Sequence, residues 1–363
     1  MSRRWRVGVA GLGHWYSAFG LARALPEYPR AELVGVACPD VEHLEEFCQA
    51  FDVPGTTNYD ELIARDDIDI VHIASPVSDM ARLAIAAARA GKHMVLGKPM
   101  AMTLAEADAM VEAVEQAGVA CLPFQSLMRL RGAALKARID RGEIGDLVVM
   151  HQASRWSIAE DWLNSGRPGW FADPAHVPGG AFIDEGIYWI DMFRWLAGSE
   201  VLQVEARMRN LVHRDLEVED WGHAVFTFAN GIVATLEAAW TINAPQPTGP
   251  SPKHNSVVRL EVVGTRGELI DQWFRDPGLS VLGAGASQWV FERQASTSFG
   301  PTTPFPLDCL VTSLDRGEPL ATTIRDARAS FAVALAAYAS ARAGAPITGS
   351  DLRGVDPGVR PAG

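Results

Sequence analysis

From Arg6 to Pro123 the chain alternates short apolar runs with longer segments in which apolar residues recur at helical spacing. The runs at Arg6–Ala10, Glu32–Ala37, Ile68–Ala74, His93–Leu96 and Val119–Pro123 predict buried strands. Between them, the segment after Gly13 to about Leu25, then Val41–Phe51, Asp79–Ala90 and the stretch from Thr103 onward predict helices. Gly91 supplies a left-handed stop, and Thr103-Leu104-Ala105-Glu106 has the form of a capping box. Strand–helix alternation of this length predicts a parallel sheet with helices on both faces.

After Leu127 the pattern changes. A basic helix is predicted over Arg129–Arg141, stopped at Gly142. Alternating strands follow at Leu147–Ser154, Val201–Leu211, His223–Phe228, Ile232–Trp240, Val257–Val263 and Glu268–Gln272. Pro- and Gly-rich loops are expected at Ala244–Pro252 and Ser296–Pro306, and a final Ala-rich helix at Ile324–Ala343. This is the signature of a large, mostly antiparallel open sheet with a few helices. The fold class is therefore α/β in two domains, 1–125 and 126–350, with a loose tail over 351–363.

One predicted helix, Gly186–Leu196, is apolar almost all round. At 100° per residue, Asp184, Tyr188 and Asp191 nevertheless share a wedge about 60° wide, with Trp195 inside it. Carboxylates on a buried helix are costly unless something pairs or uses them, so the wedge reads as a pocket wall. A cap at Asp184 plus an internal Tyr188–Asp191 hydrogen bond would account for the same residues.

Composition narrows the function classes. Of 363 residues, 48% are hydrophobic and 21% charged, as in ordinary globular proteins, and the net charge of −12 makes nucleic acid and anionic membranes poor partners. Neither a signal peptide nor a membrane span is legible, so a cytoplasmic location is expected. Cys38, Cys48, Cys121 and Cys309 have neither metal nor disulfide-framework spacing, the histidines are scattered, and no metal site is expected.

Gly11-Leu12-Gly13 ends a strand and opens a helix, the context of a dinucleotide-binding turn. Tyr16 stands where the third glycine of that pattern would be. Cys38 stands where the second strand normally presents a carboxylate to the ribose. Asp40, Glu42, Glu45 and Glu46 crowd the vicinity with no Arg or Lys close by, which favours NAD over NADP, with NADP still possible.

These landmarks, taken in order, resemble the glucose–fructose oxidoreductase / inositol dehydrogenase (Gfo/Idh/MocA) family. Further matches are Asp69–Pro76, Ala90-Gly91-Lys92-His93 before Gly97-Lys98-Pro99, Gly142-Glu143-Ile144-Gly145, Gly179-Gly180 through Gly198, Glu219-Asp220, Asn230-Gly231, Gly264-Thr265-Arg266-Gly267, and Ala337-Tyr338 through Gly344. The resemblance implies an N-terminal Rossmann domain and a C-terminal α/β domain for substrate binding and oligomerisation. It assigns cofactor contacts to Gly11, Leu12, Gly13, His14, Trp15, Cys38, Asp40, Ser75, Pro76, Lys98 and Pro99. It gives Lys98 and Tyr188 roles in proton transfer, counts Asp191 with them, and implies that Asp184 and Asp191 hold substrate. Four positions depart from the family pattern: Tyr16, Cys38, Met80 and Gly97.

Arg155, Trp156, Trp162 and Trp170 fall in a region that lies over the site in the family. Indole faces beside an arginine and two carboxylates suit a polyhydroxylated ring. The expected function is hydride transfer between nicotinamide and a secondary hydroxyl or carbonyl of a sugar, inositol or related polyol, in a homodimer or homotetramer built through the C-terminal sheet. A non-catalytic dinucleotide or sugar sensor and an NAD-dependent glycosidase are the alternatives.

Overall fold

The computed structural model describes residues 4–162, 165–242, 255–273, 277–293, 305–349 and 352. The loop expected at Ala244–Pro252, most of that at Ser296–Pro306 and all of the expected tail but Leu352 lie outside these residues. The chain divides into two compact units. One comprises Met1–Leu127, Glu160–Pro178 and Gly300–Ala329, and the other Met128–Ala159, Gly179–Phe299 and Ser330–Gly363.

The first unit carries β1 (Trp5–Ala10), α1 (Trp15–Ala24), β2 (Ala31–Ala37), α2 (Val41–Phe51), β3 (Gly55–Thr56), α3 (Tyr59–Ile63), β4 (Ile70–Ile73), α4 (Val77–Arg89), β5 (His93–Leu96), α5 (Leu104–Ala117) and β6 (Cys121–Pro123). The strands pair in parallel in the order β3-β2-β1-β4-β5-β6. That is the doubly wound order, with its switch point between β1 and β4. Val7, Val9, Ile70 and Val95 are buried in the sheet, and Phe19 of α1 and Phe47 of α2 join the same cluster. The capping box at Thr103 and Glu106 forms as its sequence predicts.

The second unit holds most of α6 (Leu127–Arg131), then α7 (Ala133–Asp140), β7 (Leu147–Arg155), α8 (Ala181–Ala197), β8 (Val201–Arg209), β9 (Trp221–Phe228), β10 (Val233–Ala239), β11 (Val257–Gly264), β12 (Glu268–Trp273), β13 (Gly278–Leu282) and β14 (Val290–Arg293). Three elements close the described chain: α9 (Phe305–Arg316), α10 (Ile324–Ala343) and β15 (Ile347–Thr348). The nine strands run β14-β13-β12-β11-β7-β10-β9-β8-β15, antiparallel except for the β7–β10 pair. Helix α8 packs on β7, β9 and β10. Strand residues alternate accordingly: Met150, Gln152 and Ser154 are buried, as are Ala234, Leu236 and Ala238, while His151, Ala153, Thr235 and Glu237 between them are more exposed.

Two helix predictions are corrected. The basic helix expected over Arg129–Arg141 is two helices broken at Gly132. A Cβ there would come within 2.0 Å of Met192 Cε on α8, so glycine lets that methionine pack close. Helix α8 starts five residues before the expected Gly186. Its N-terminus is held by Glu219, whose carboxylate accepts from the backbone N–H groups of Gly180 and Phe182 at 3.0 Å and from the Tyr338 hydroxyl at 2.7 Å. An anion at that end also complements the helix dipole. The Gly179-Gly180 pair is required here, because a Cβ would meet Tyr338 Oη at 2.2 Å or the Glu219 carbonyl at 2.0 Å.

Candidate active site

Within the first unit, β1 ends on a turn closed against the end of β4. Gly11 adopts φ +94°, and a Cβ on it would lie 2.5 Å from Ser75 Cα. A Cβ on Gly13 would lie 2.8 Å from Pro76 Cδ. Ser75 and Pro76, expected as cofactor contacts, therefore sit directly against the glycine turn, and Leu12 between the glycines is buried. No side chain caps α1 and its first turn carries no acid. By contrast Asp40, Asn58 and Thr103 cap α2, α3 and α5. A free helix N-terminus behind a tight glycine turn fits a dinucleotide pyrophosphate.

His14 follows that turn and is buried. Its Nε2 lies 2.7 Å from the Lys98 carbonyl oxygen and its Nδ1 3.0 Å from that of Ser75. The ring thus ties the glycine turn to the Lys98-Pro99 segment, where the peptide bond is cis. Burial, reinforced by the Lys98 ammonium, pushes the His14 pKa down to about 3. Lys98 itself is 3% exposed, with Nζ 6.0 Å above the Phe171 ring.

The departures from the family pattern acquire physical reasons. A Cβ at Gly97 would sit 2.6 Å from Met80 Cε and 2.9 Å from the Ile73 carbonyl oxygen, so Met80 fills the room that a longer residue at 97 would need. Tyr16 packs edge-on against His14, Trp15 and Phe124. Cys38 is 6% exposed at the end of β2, and burial raises its thiol pKa. Asp40 spends one carboxylate oxygen on the His43 backbone N–H at 3.0 Å, as the N-cap of α2.

Trp170 lies beside the glycine turn. Its indole N–H donates to the Gly13 carbonyl at 3.1 Å, and its ring lies 4.7 Å from His14 and 3.8 Å from Phe171. Within the first unit it packs against the dinucleotide turn. Trp162 likewise stacks on His43 at 3.8 Å and donates to Glu46 at 2.9 Å.

In the second unit the polar wedge on α8 exists. Asp184 is 3% exposed, Tyr188 7% and Asp191 0%. Trp240, wholly buried on the sheet, donates to Asp184 at 3.3 Å. Asp191 differs from expectation: Arg129 grips both its carboxylate oxygens at 2.6 and 2.7 Å, and Ser330 donates to one of them at 3.1 Å. With no exposed surface, it acts as an anchor for Arg129 and not as a hydroxyl acceptor.

Arg155 is also corrected. It pairs with Glu237, which accepts as well from the Trp221 indole at 3.0 Å. Odd-numbered β7 residues point away from the face that α8 covers, so Arg155 lies on the opposite face. Trp156, just past β7, donates its indole N–H to Ser154 at 2.8 Å. Sequence reasoning missed Trp240, Arg129 and Arg131; only the basic run 129–141 hinted at the arginines.

Comparison with known proteins agrees with this geometry. Residues 5–124 match the model of an oxidoreductase family with an NAD-binding Rossmann fold, and residues 133–270 match the GFO/IDH/MocA C-terminal domain. The chain is 28% identical over 354 residues to scyllo-inositol 2-dehydrogenase (NAD(+)) of Bacillus subtilis, covering 96% of this chain and 97% of that one. It is 28% identical over 334 residues to a levoglucosan dehydrogenase of Pseudarthrobacter phenanthrenivorans, covering 82% and 81%. A solved levoglucosan dehydrogenase in complex with NADH shares the fold, with a TM-score of 0.82 at 24% identity over 95% of this chain and 99% of that one. With a doubly wound sheet ending in an uncapped glycine turn and an open nine-stranded sheet behind α8, the chain belongs to the Gfo/Idh/MocA family of NAD-binding oxidoreductases.

Proposed function

We propose that this NAD-dependent dehydrogenase oxidises a secondary hydroxyl of an inositol, anhydrosugar or related polyol, with Lys98 and Tyr188 assisting proton transfer. The observation that carries the reading is the polar wedge of Asp184 and Tyr188 on an otherwise apolar, buried helix. The relatives named above act on polyols and anhydrosugars, whose dense hydroxyls suit such a wedge.

When bound, NAD supplies the hydride acceptor. The backbone around Gly11, Leu12 and Gly13, with the open end of α1 at His14 and Trp15, would hold its pyrophosphate. Asp40 at the end of β2 would meet the ribose, beside Cys38. Ser75, Pro76, Lys98 and Pro99 complete that contact set. Tyr188 would take the proton of the reacting hydroxyl, and the bound nicotinamide would accept the hydride from the same carbon, leaving a carbonyl. Lys98 orients the reacting oxygen, Asp184 accepts from a neighbouring hydroxyl, and Trp156 offers an apolar face.

The sheet face bearing Arg155, Glu237, Trp221 and His223 is the surface through which we expect a homodimer or homotetramer to form; light scattering of the purified protein measures that state. The functional test is calorimetric titration with NADH and NADPH, followed by turnover of a polyol panel with NAD. NADH binding with turnover of at least one polyol is expected. Tight NADH binding without turnover of any would leave a dinucleotide-binding sensor.

A further inference from the structure

Four neighbouring strands of the first sheet end level with one another. Ala10 of β1 pairs with Ile73 of β4, Ile73 with Leu96 of β5, and Leu96 with Pro123 of β6. A doubly wound sheet takes its ligand outside these carboxyl ends, one half of a dinucleotide on each side of the switch point. Cys38 and Asp40 follow β2, so the side of β3, β2 and β1 belongs to the adenosine half. The nicotinamide half then falls to the ends of β4, β5 and β6. Lys98 follows β5 there, and Phe124, Gln125 and Ser126 follow β6, one strand spacing of about 4.8 Å away.

Phe124–Ser126 is a single 3-10 turn. Phe124 anchors it, with its ring 6.3 Å from Tyr16 on α1 and 6.4 Å from His72 on β4. Tyr16 lies 5.7 Å from His14, whose Nε2 is 2.7 Å from the Lys98 carbonyl oxygen. The turn is thus packed against the start of α1 and linked through His14 to the Lys98 segment. The two polar residues behind that anchor are buried, Gln125 at 1% and Ser126 at 3% exposed. Neither Gln125 Nε2 nor Ser126 Oγ has a hydrogen-bond partner among the described residues. Unpaired buried groups cost stability, and two in succession at the carboxyl edge of this sheet point to a ligand.

We propose that Gln125 and Ser126 bind the nicotinamide carboxamide: Gln125 Nε2 donates to its oxygen, and Ser126 Oγ accepts from its N–H. The nicotinamide ring can hydrogen-bond only through that group, which carries an acceptor and a donor on one carbon. An unpartnered amide N–H and an unpartnered hydroxyl, adjacent on one turn, match it. Held there, the ring cannot turn about its glycosidic bond, which decides which of its faces meets the substrate.

The inference rests on the NAD-binding reading of the first unit and is independent of the polyol, so its test is binding alone. The full-length, cofactor-free protein is titrated calorimetrically with three ligands. They are NADH, ADP-ribose, which lacks the nicotinamide, and the acetylpyridine analogue of NADH, whose methyl ketone keeps the acceptor oxygen but has no N–H. Gln125→Met keeps the side-chain length and removes the amide. It is expected to weaken NADH and the analogue about tenfold and to leave ADP-ribose within about twofold. Ser126→Ala is expected to weaken NADH about fivefold and to leave the analogue unchanged, because the analogue offers that hydroxyl no donor. Both substitutions delete a buried unpaired group, so the unliganded protein is expected to keep or gain melting temperature. Equal losses for NADH and ADP-ribose would mean that the turn only supports the sheet, and would overturn the inference. Unchanged NADH affinity in both variants overturns it as well. A wild type that binds neither NADH nor ADP-ribose overturns it together with the cofactor reading. The expected pattern in a protein that oxidises no polyol upholds the inference and removes the dehydrogenase reading instead.

Discussion

The imidazole of His14 bridges two backbone carbonyls, those of Ser75 and Lys98, and so fastens the glycine turn to the segment that presents Lys98. Two acceptors favour the charged ring, yet burial beside an ammonium outweighs them and holds the pKa at about 3. His72 on β4 is buried as well, and its pKa is also lowered to about 3 by burial. A histidine whose folded pKa lies below its unfolded value near 6.5 stabilises the fold fully above 6.5. That contribution falls away as pH drops toward 3, because the unfolded chain takes up the proton first. Each ring then removes about 1.4 kcal/mol per pH unit. Denaturant melts across this range should show the loss, and the double variant His14→Gln, His72→Gln should flatten it. Equal slopes in wild type and variant would reassign the effect to other groups.

Asp191 and Arg129 form a pair that is 0% and 11% exposed. Removing one partner strands the other charge, so Asp191→Asn is expected to cost about 3–5 kcal/mol in a denaturant melt. Replacing both by apolar residues should recover much of that loss. A cost below about 1 kcal/mol for the single variant would class the pair with surface ion pairs.

Gln152 is 3% exposed on the sheet face covered by α8, and neither its amide nitrogen nor its oxygen has a partner among the described residues. Gln152→Met keeps the shape and removes that penalty, so it should raise stability by about 1–2 kcal/mol. If stability rises while KM for the polyol worsens, the amide serves substrate; destabilisation would reveal an internal partner supplied by water.

Tyr338→Phe removes one of the hydrogen bonds to Glu219 and the one to the Ile183 backbone at 3.1 Å. The expected cost is about 1–2 kcal/mol. Because Glu219 sets where α8 begins, kcat should fall with it even though Tyr338 lies outside the reacting groups. Loss of stability with kcat intact would separate the anchor from the wedge.

Much of this was legible in the chain because it depends on local pattern. Parallel strands buried on both faces leave apolar runs, and the wedge on α8 follows from helical periodicity alone. What escaped reading depends on distant partners. Gly132 lies against Met192, and Arg129 neutralises Asp191 from 62 positions away. Arg155 was misplaced because its face of the sheet is set by strand register, not by its neighbours in sequence. The strands Gly278–Leu282 and Val290–Arg293 lacked a signal because the second is exposed along its length and offers no buried alternation.

Gly97 and Met80 share one volume: a Cβ at 97 would meet the methionine methyl at 2.6 Å, so Met80 must shift to admit a side chain there. Gly97→Glu alone should therefore lower the melting temperature, and Met80→Ala in the same chain should recover part of that loss, the Ile73 carbonyl still being close. A melting temperature unchanged in Gly97→Glu would show that the pocket yields. In terms of descent, the two sites behave as a single epistatic character. The cost of any side chain at 97 is set in part by the residue that stands at 80.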